Sequence, residues 1–333
     1  MAPTALDLSS LPTRAPSKPS KTLKYADVAV TATAKEFDGF YRKKKYHQND
    51  FVSTLDRARE AGVAKILLTG MSLRDVELNR SIARCRPKQC FVTVGVHPYH
   101  AQEMVSGGQE YIDKLAEAIE SLYQEDASPL AAFGELGLDY DRLIHASKES
   151  QIHAFKAQLD FFLSKKLDLP LFLHCRAACD DFVDIISPYI PHLPRGGLVH
   201  SFVGSETEMQ KLVALGLDVS VNGFSFANAE SLKMVAAIPL DRLQIETDSP
   251  WGHIGDNSDL VIRYCVHASK APQSKKRDKW DAQCMVKERN ESCMIERVAF
   301  IVAGLKGIGV DEVTQQAWAN SIRMFGLGEE AIS

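Results

Sequence analysis

Short apolar runs alternate with longer amphipathic segments along most of the chain. Eight runs have the length and composition of strands: YADVAVTA, KILLTG, CFVTVGVHP, PLAAFGELGLD, LPLFLHC, GGLVHSF, DVSVNG and LQIETDSP. The segments between them, such as DFVSTLDRAREAGV and SETEMQKLVALGL, have helical periodicity, and several end in the glycine that commonly follows a helix. Eight strand–helix units predict an α/β fold, a (β/α)8 TIM barrel, with an open doubly wound sheet as the alternative.

The first 22 residues differ from the rest of the chain. They are rich in Pro, Ser, Thr and Ala and contain no aromatic residue, so we predict a disordered tail over 1–22, followed by a single domain over 23–333. A mitochondrial transit peptide is the less favoured interpretation, because no Arg-rich helix face is evident. No apolar run approaches the roughly 20 residues that span a bilayer, so we expect a soluble intracellular protein of the cytoplasm and/or nucleus, without membrane association.

Charge and cysteine content exclude two further classes. The seven cysteines include no CxxC pair, which argues against a disulfide framework and a structural zinc knuckle and favours reduced thiols. The formal net charge of −4 argues against a protein that coats nucleic acid generally. Any contact with phosphate is therefore expected to be local.

Polar residues close four of the predicted strands. Strand four ends at Glu135, strand five at His174, strand six at His200 and strand eight at Asp248. In a TIM barrel the carboxyl ends of the strands meet at the face that carries catalysis. Two imidazoles and two carboxylates at one cavity predict a site for Zn²⁺, Mn²⁺ or Mg²⁺ that lowers the pKa of a bound water. A buried polar network without metal is the alternative.

Other polar and aromatic residues follow strand ends. His97 either faces the site or belongs to a turn, and Arg176 either holds a substrate phosphate or pairs with a helix carboxylate. Glu246 lies on the same strand face as the carboxylate that closes strand eight and is expected to orient an arginine or a metal ligand. Trp251 and Tyr140 either stack on a terminal base or serve as packing aromatics.

Two local basic clusters interrupt the mildly acidic composition. They are YRKKKYH at residues 41–47 and KKRDK at residues 275–279. Each is interpreted either as a solvated charged face or as a contact to a phosphate backbone.

The motifs GVHP, FGELGLDYDR, LFLHCR, LVHSF and IETDSPW occur in an order and at separations that resemble the TatD family of metal-dependent deoxyribonucleases. KERNES resembles the RNEP element of that family, with Ser292 in place of proline. The resemblance covers residues 25–326, and the long insert between SPW and KERNES is most similar to the eukaryotic branch.

The resemblance implies a TIM barrel of the metal-dependent hydrolase type that hydrolyses DNA phosphodiester bonds. It further implies a 3′ to 5′ exonuclease mode on single-stranded DNA or frayed 3′ ends, a role in DNA repair or apoptotic DNA degradation, and Mg²⁺ or Mn²⁺ as cofactor, with Zn²⁺ as a further candidate. No obligate protein partner is indicated.

The resemblance also assigns roles by position. Glu135, His174, His200 and Asp248 match metal ligands, and Glu135 and Asp248 also match the groups that take a proton from water. The remaining matched or neighbouring positions are divided into substrate contacts, His97, Arg176 and Trp251, and supporting residues, Glu246, Arg289, Asn290, Glu291, Thr31 and Thr33. Residues 289–291 are expected to brace the site rather than perform chemistry.

The first strand brings no metal ligand. Many TatD proteins carry HxH at its end and others Asn-x-Thr; here Thr33 agrees with the second pattern and Thr31 departs from both. Strict alternation would place Asp27, Ala29 and both threonines on the inward face. A threonine hydroxyl is a poor ligand beside an imidazole, so we predict one firm metal at the other strands and a second, weak and hydrated ion beside Thr31 and Thr33.

Two other functions remain open at the level of sequence. One is a barrel hydrolase of small phosphoesters or amides, because the fold and the ligand types also suit those reactions. The other is a catalytically silent nucleic-acid-binding protein, which the missing ligands of strand one would explain.

Overall fold

The computed structural model describes residues 8–9, 11–125 and 128–328. Eight parallel strands form one sheet in sequence order. We label them β1 to β8: Tyr25–Val30, Val63–Leu68, Cys90–Val94, Leu130–Asp139, Leu171–Arg176, Gly197–His200, Asp218–Val221 and Leu243–Ile245. The α-helices, labelled α1 to α10, are Phe51–Glu60, Leu73–Cys85, Ala101–Tyr123, Lys148–Ser164, Cys179–Ile186, Glu206–Ala214, Ala229–Ala237, Asp259–Tyr264, Ile295–Lys306 and Val310–Phe325.

Shorter elements decorate the loops. Phe40–Tyr41 pairs with Lys44–Lys45 as a small antiparallel hairpin, and Ser274–Lys275 pairs in parallel with Met285–Val286. Turns of 3₁₀ helix lie at Pro98–His100, Ile190–His192, Gly223–Phe226, Leu240–Arg242, Arg277–Lys279 and Ser292–Met294.

The barrel closes where the first and last strands meet. Val30, at the end of β1, forms a parallel bridge with Ser249, four residues beyond β8. The N–H of Thr31 also donates to the carbonyl of Ser249 at 2.9 Å. Each strand is followed by helix, so the predicted (β/α)8 barrel is confirmed and the open sheet is excluded.

The interior of the barrel is a separate apolar layer. Small residues on β1 and β4 leave room for the ring of Phe172. The cluster comprises Ala26, Val28, Ala29, Leu67, Ala131, Ala132, Phe172, Leu198, Met324, Phe325 and Leu327. The larger cluster lies between the strands and the surrounding helices. Phe172 lies directly beneath the site, because its ring stacks on His200 with centroids 4.7 Å apart.

β1 departs from regular alternation. Its register with β2 is irregular between Asp27 and Val30, and the consecutive residues Val28 and Ala29 both belong to the interior cluster. The alternation that placed Asp27, Ala29 and both threonines on one inward face is therefore interrupted. A bulge of this kind adds a residue to one strand and reverses the facing of the residues beyond it.

Residues 1–7 and 10 of the predicted tail lie outside the described residues. The described part forms no helix or strand but has contacts: Leu8 is buried, its carbonyl accepts from Arg263 Nη1 at 2.7 Å, and the carbonyl of Pro12 accepts from the hydroxyl of Tyr264 at 2.6 Å. The disordered tail and the domain boundary at residue 23 stay predictions. Among the described residues, no helix is both long and apolar enough to cross a membrane.

Candidate active site

Two glycines allow β4 to approach β5 closely. Gly134 and Gly137 both have φ of +147°, in the region that favours glycine. A Cβ on Gly134 would lie 2.1 Å from the carbonyl oxygen of Phe172, and one on Gly137 would lie 1.9 Å from that of His174. The FGELG motif is therefore a backbone requirement as well as a chemical one, because it brings Glu135 beside His174.

Three imidazoles surround one carboxylate oxygen at the carboxyl ends of the strands. Glu135 Oε1 accepts hydrogen bonds from His174 Nδ1 at 2.8 Å and from His200 Nε2 at 2.6 Å. His97 Nε2 lies 3.4 Å from the same oxygen. Glu135, His97 and His200 are buried, and His174 is partly exposed. The structure thus brings together side chains from four neighbouring regions. His97 follows β3, and His174 and His200 lie near the ends of β5 and β6. Glu135 lies in the middle of β4, which continues to Asp139, so the prediction that this strand ends at Glu135 is wrong.

Asp139 is part of this cluster, although the sequence reasoning did not select it. Its Oδ2 lies 3.1 Å from His174 Nε2, so His174 has a carboxylate at each ring nitrogen. The amide of Gln151 accepts from the N–H of Asp139 at 2.7 Å and fixes the strand end. Asp139 stands four residues after Glu135 on one strand, and even spacing puts both on the same strand face. That spacing was a signal available in the sequence.

Glu246 occupies a comparable position behind His200. It is fully buried, and its Oε1 lies 3.5 Å from His200 Nδ1. Ser220 Oγ donates to its Oε2 at 2.6 Å, and Asn222 Nδ2 donates to its Oε1 at 2.8 Å. The structure therefore places Glu246 where the sequence expected it, against a candidate metal ligand, with its charge held by two polar side chains.

His97 combines the two positions that the sequence left open. Its Nδ1 accepts the N–H of Tyr99 at 3.0 Å, which caps the 3₁₀ turn that begins at Pro98, while its Nε2 faces Glu135. Burial lowers the pKa of His97 to about 3, so the ring is neutral. A neutral ring that accepts at Nδ1 carries its proton on Nε2. His97 is therefore a hydrogen-bond donor towards Glu135.

The charges at the centre of the site are strongly coupled. Burial raises the pKa of Glu135, but the charge of His200 and the hydrogen bonds from His174 and His200 outweigh it and hold the pKa well below the usual range. Burial lowers the pKa of His174 and His200, but their carboxylate neighbours outweigh it and raise both pKa values. The imidazoles and the buried carboxylates thus favour one another's charged forms.

Asp248 is influenced electrostatically by this group, because the charges of His200, Glu135 and His174 act on its carboxyl. It follows β8 with φ of +52°, an uncommon conformation for aspartate, and it is partly exposed. Burial is the largest influence on its carboxyl and raises the pKa to about 8, against the charge of His200, which lowers it. The exposed ring of Trp251 follows in the same loop, and the backbone N–H of Trp251 donates to the carbonyl of Asp248 at 3.0 Å.

Thr247 is held from both sides, and this fixes the residue that follows it. Asp27 accepts the N–H of Thr247 at 2.9 Å and its hydroxyl at 2.6 Å. Asn290 Nδ2 donates to the carbonyl of Thr247 at 2.9 Å. Asp27 and Asn290 therefore hold the backbone from which Asp248 projects. The sequence reasoning gave Asp27 no function, because its partner lies 220 residues away.

The other two residues of the RNE segment form a buried ion network. Arg289 donates to both carboxylate oxygens of Asp50, at 2.7 and 2.9 Å, and to Glu291 at 2.8 Å. Arg57 donates to both oxygens of Glu291, at 2.8 and 3.1 Å. All four side chains are buried. The network ties α1 and the loop after β1 to the end of the long insert, which is where a bracing role was expected; Asp50 and Arg57 were not anticipated.

Arg176 lines an open cavity beside the cluster. The cavity has a volume of about 440 Å³ and includes Asp141, Phe202 and Ser205 in its walls. Arg176 Nη2 pairs with Asp141 at 2.7 Å, a carboxylate in the loop after β4 rather than on a helix. Because both side chains are partly exposed, an incoming anion can compete for the guanidinium.

Tyr140 and the threonines of β1 have less direct positions. The hydroxyl of Tyr140 donates to Asp181 at 2.7 Å, and Lys148 Nζ lies 4.7 Å from its ring centre, so the ring is already in use on the surface. Thr31 is buried next to Ser249, and Thr33 is partly exposed. Neither threonine side chain makes a hydrogen bond within the described ranges.

The donor set fits a divalent cation. His97, Glu135 and His174 each offer a ligand atom, and these atoms lie within 4.8 Å of one another. His97 keeps its Nε2 proton, so His200, with Nε2 at 2.6 Å from Glu135 and Nδ1 towards a carboxylate, is the better second imidazole ligand. A cation bound here would place positive charge beside the buried carboxylate of Glu135.

A parallel barrel with imidazoles and carboxylates at the carboxyl ends of its strands defines a TIM-barrel metallo-hydrolase. Residues 29–326 match the family described as TatD related DNase, and the chain belongs to this family. It is thus a hydrolase of the TatD nuclease type.

The relatives span nearly the whole chain. The chain is 39% identical over 309 residues to Deoxyribonuclease Tat-D of Schizosaccharomyces pombe, covering 91% of this chain and 96% of that protein. It is 32% identical to 3′-5′ ssDNA/RNA exonuclease TatD of Erwinia billingiae, covering 90% and 98%. Among solved structures, an uncharacterized amidohydrolase from Saccharomyces cerevisiae superposes with a TM-score of 0.85 at 30% identity, covering 91% of this chain and all of that one.

Proposed function

We propose that the protein is a Mg²⁺- or Mn²⁺-dependent deoxyribonuclease that removes nucleotides from the 3′ ends of single-stranded or frayed DNA. The observation that carries the proposal is the convergence of three imidazoles on one oxygen of Glu135, beside Asp248 and an open cavity. The printed activities of the yeast and Erwinia relatives support the choice of nucleic acid as substrate.

Glu135, His174 and His200 would hold the firm metal. When bound, a divalent cation polarises the scissile phosphodiester and activates water for attack. Asp248 and Glu135, with Thr31 and Thr33 nearby, would hold a second ion only weakly, because hydroxyl and water ligands replace imidazole there. The oxygen-rich coordination of this second ion favours Mg²⁺ or Mn²⁺ over Zn²⁺.

The protein's own groups divide the remaining work. Asp248 takes the proton from the attacking water, and a pKa near neutrality is the range in which a general base is most effective. His97 donates its Nε2 proton and stays neutral over the working range, so it does not compete for the water proton. Arg176 leaves Asp141 and pairs with a non-bridging phosphate oxygen.

The substrate end is expected to lie between the cavity and the exposed ring of Trp251. Trp251 is 39% exposed and lies three residues after Asp248 in the same loop, so the face of its ring is open to a terminal base. Stacking of one base on an aromatic ring contributes about 1–3 kcal/mol and tolerates any sequence.

The direct test is digestion of 5′-labelled single-stranded DNA in Mg²⁺, Mn²⁺, Zn²⁺ or EDTA. We expect shortening from the 3′ end in Mg²⁺ or Mn²⁺ and none in EDTA. Asp248→Asn should lower kcat by about 10²–10⁴-fold, since it removes the proton acceptor. Asp168→Asn, an exposed residue just before β5, is the matched control and should retain full activity. Intact DNA in every metal would overturn the proposal.

A further inference from the structure

The two basic clusters of the sequence meet on one surface. The first forms the hairpin Phe40–Tyr41 and Lys44–Lys45 in the loop after β1. The second includes the 3₁₀ turn Arg277–Lys279 in the insert after β8. The guanidinium of Arg277 lies 5.2 Å from the ring centre of Tyr41 and 5.1 Å from that of Tyr46, so the turn packs directly against the hairpin. We call this combined surface, residues 40–46 and 276–280, the basic platform.

A second aromatic contact joins the basic platform to the neighbouring loop after β1. Trp280 stacks on His47 with ring centres 5.3 Å apart and an interplanar angle of 4°. Its indole N–H donates to Asp50 Oδ2 at 3.1 Å, and Asp50 also binds Arg289. The platform is therefore joined to the same buried ion network that braces the site.

The platform belongs to the catalytic face of the barrel. Its first segment follows the carboxyl end of β1, which meets the segment after β8 at the bridge between Val30 and Ser249. Its second segment lies beyond α8 in the chain and is brought to this face by its packing against the first. Ser249 is the neighbour of Asp248 in the chain. A strand of nucleic acid that leaves the cavity at this side of the barrel mouth would therefore meet the loops that carry the platform.

Positive charge is concentrated here within an acidic chain. The cationic side chains are Arg42, Lys43, Lys44, Lys45, Lys276, Arg277 and Lys279, and Asp278 is the one acidic residue within residues 41–47 and 275–279. Across the described ranges, none of these cations has a carboxylate partner. Lys44 and Arg277 instead lie over the rings of the platform tyrosines.

The hairpin turn holds its cations in a costly conformation. Arg42 and Lys43 have φ of +48° and +67°, values at which glycine or asparagine is preferred in such turns. Two long cationic side chains are kept at positions where backbone preference disfavours them, and both are exposed. Stability of the turn alone does not account for that choice.

We propose that the basic platform binds the backbone of single-stranded DNA on the 5′ side of the terminal nucleotide, an inference that rests on the proposed nuclease function. Unpaired cations neutralise phosphates, and the rings of Tyr41 and Tyr46 hold Arg277 in place. The partly exposed ring of Trp280 is the one that would stack on a base. Single strands fit better than duplex, because a duplex encloses the faces of its bases. The platform thereby sets the preference of the enzyme for strands longer than a dinucleotide.

The test uses the full chain and a labelled 20-nucleotide oligo-dT, with binding measured by fluorescence anisotropy in EDTA at several salt concentrations. Lys43→Glu/Lys276→Glu changes one exposed residue in each segment, and neither side chain forms a hydrogen bond or ion pair among the described residues. Lys156→Glu/Lys165→Glu changes two exposed residues, one on α4 and one directly after it, and is the control of equal charge. We expect the platform variant to raise Kd about tenfold and to lower the salt slope by about 1.4, the value for two single-strand phosphates. The control should stay within twofold.

Hydrolysis of the dinucleotide dTpdT in Mn²⁺ separates this proposal from the nuclease function. If the wild type cleaves both substrates and the platform variant cleaves the dinucleotide normally but binds oligo-dT weakly, the platform is supported. If the wild type is active and the platform variant binds oligo-dT as the control does, the platform proposal fails while the nuclease function stands. If the wild type cleaves neither substrate, the nuclease function fails. Tighter binding of a 20-base-pair duplex than of oligo-dT would also overturn the single-strand assignment.

Discussion

The two sides of the barrel mouth are built differently. On the side of β4 to β6, His174 and His200 both lie within hydrogen-bond distance of the carboxylate of Glu135. On the side of β1 and β8, Thr31 offers only a hydroxyl, which is a weaker metal ligand than an imidazole. Asp248 there follows Thr247, whose backbone is held by Asp27 and Asn290. On the first side the candidate metal ligands hold one another in place. On the second side, residues outside the candidate ligand set hold the backbone next to Asp248. Metal affinity and the position of the proton acceptor should therefore respond to different substitutions.

The largest effect on the braced side is expected from Asp27. Burial raises its pKa to about 7, well above the value of an unfolded aspartate. Because the folded state then holds the proton more tightly, this contribution to stability is fully present below about pH 4 and is lost as pH rises through 7. A shift of three units corresponds to about 4 kcal/mol. The free energy of unfolding of the wild type relative to Asp27→Asn should fall by that order between pH 4 and 8.

Urea unfolding at a series of pH values measures this difference. Asp168→Asn, which changes an exposed carboxyl, should follow the wild type throughout. If the free energy of unfolding had the same pH dependence in Asp27→Asn and the wild type, the pKa of Asp27 would not be raised in the folded protein, and this prediction would be wrong.

A smaller effect is expected from Asn290, which holds the carbonyl of Thr247. Asn290→Ala should lower kcat about tenfold, since outer groups that orient an active residue typically contribute 10- to 100-fold. The Kd of the firm metal should change less than twofold, because the hydrogen bonds of Asn290 go to Thr247 and Pro250, beyond β8. Asn257→Ala, an exposed residue in the same insert, is the control. Equal losses in metal binding and kcat would show that the two sides are not separable.

The smallest effect is a gain at Thr31. Thr31→Asn adds an amide oxygen of the kind that binds Mg²⁺ and Mn²⁺, and we expect the weak second ion to bind about fivefold more tightly. Thr31→Val keeps the shape without any ligand oxygen and should not tighten it. A Mn²⁺ titration followed by electron paramagnetic resonance compares the two. Identical second-site affinities in both variants would place that ion away from β1.

The sequence was sufficient for the fold because its signals were local and repeated. Eight apolar runs separated by helical periods predicted the barrel, and polar residues at strand ends marked the site, with Glu135, His174 and His200 meeting as expected. Asp139 carried a usable signal in its spacing from Glu135 but lay in a motif already accounted for. Local patterns were enough wherever the chain's neighbours in sequence are also its neighbours in space.

Contacts between distant segments were not predictable in the same way. Arg57 and Glu291 are 234 residues apart, and neither residue type indicates its partner. The irregular register of β1 is also invisible to an alternating pattern, because a bulge changes facing without changing composition. The joining of the two basic clusters by Arg277 is a third case, since each cluster alone resembles an ordinary solvated run.

The central claim is that Glu135 organises one firm metal site and that Asp248 does not. Mn²⁺ binding to the wild type, Glu135→Gln, Asp248→Asn and the exposed control Glu117→Gln tests it by counting ions per chain in a calorimetric titration. We predict one firm ion in the wild type, in Asp248→Asn and in Glu117→Gln, with any second ion at least about tenfold weaker, and loss of the firm ion in Glu135→Gln. Two equally firm ions in the wild type, or firm binding that survives Glu135→Gln, would contradict the account.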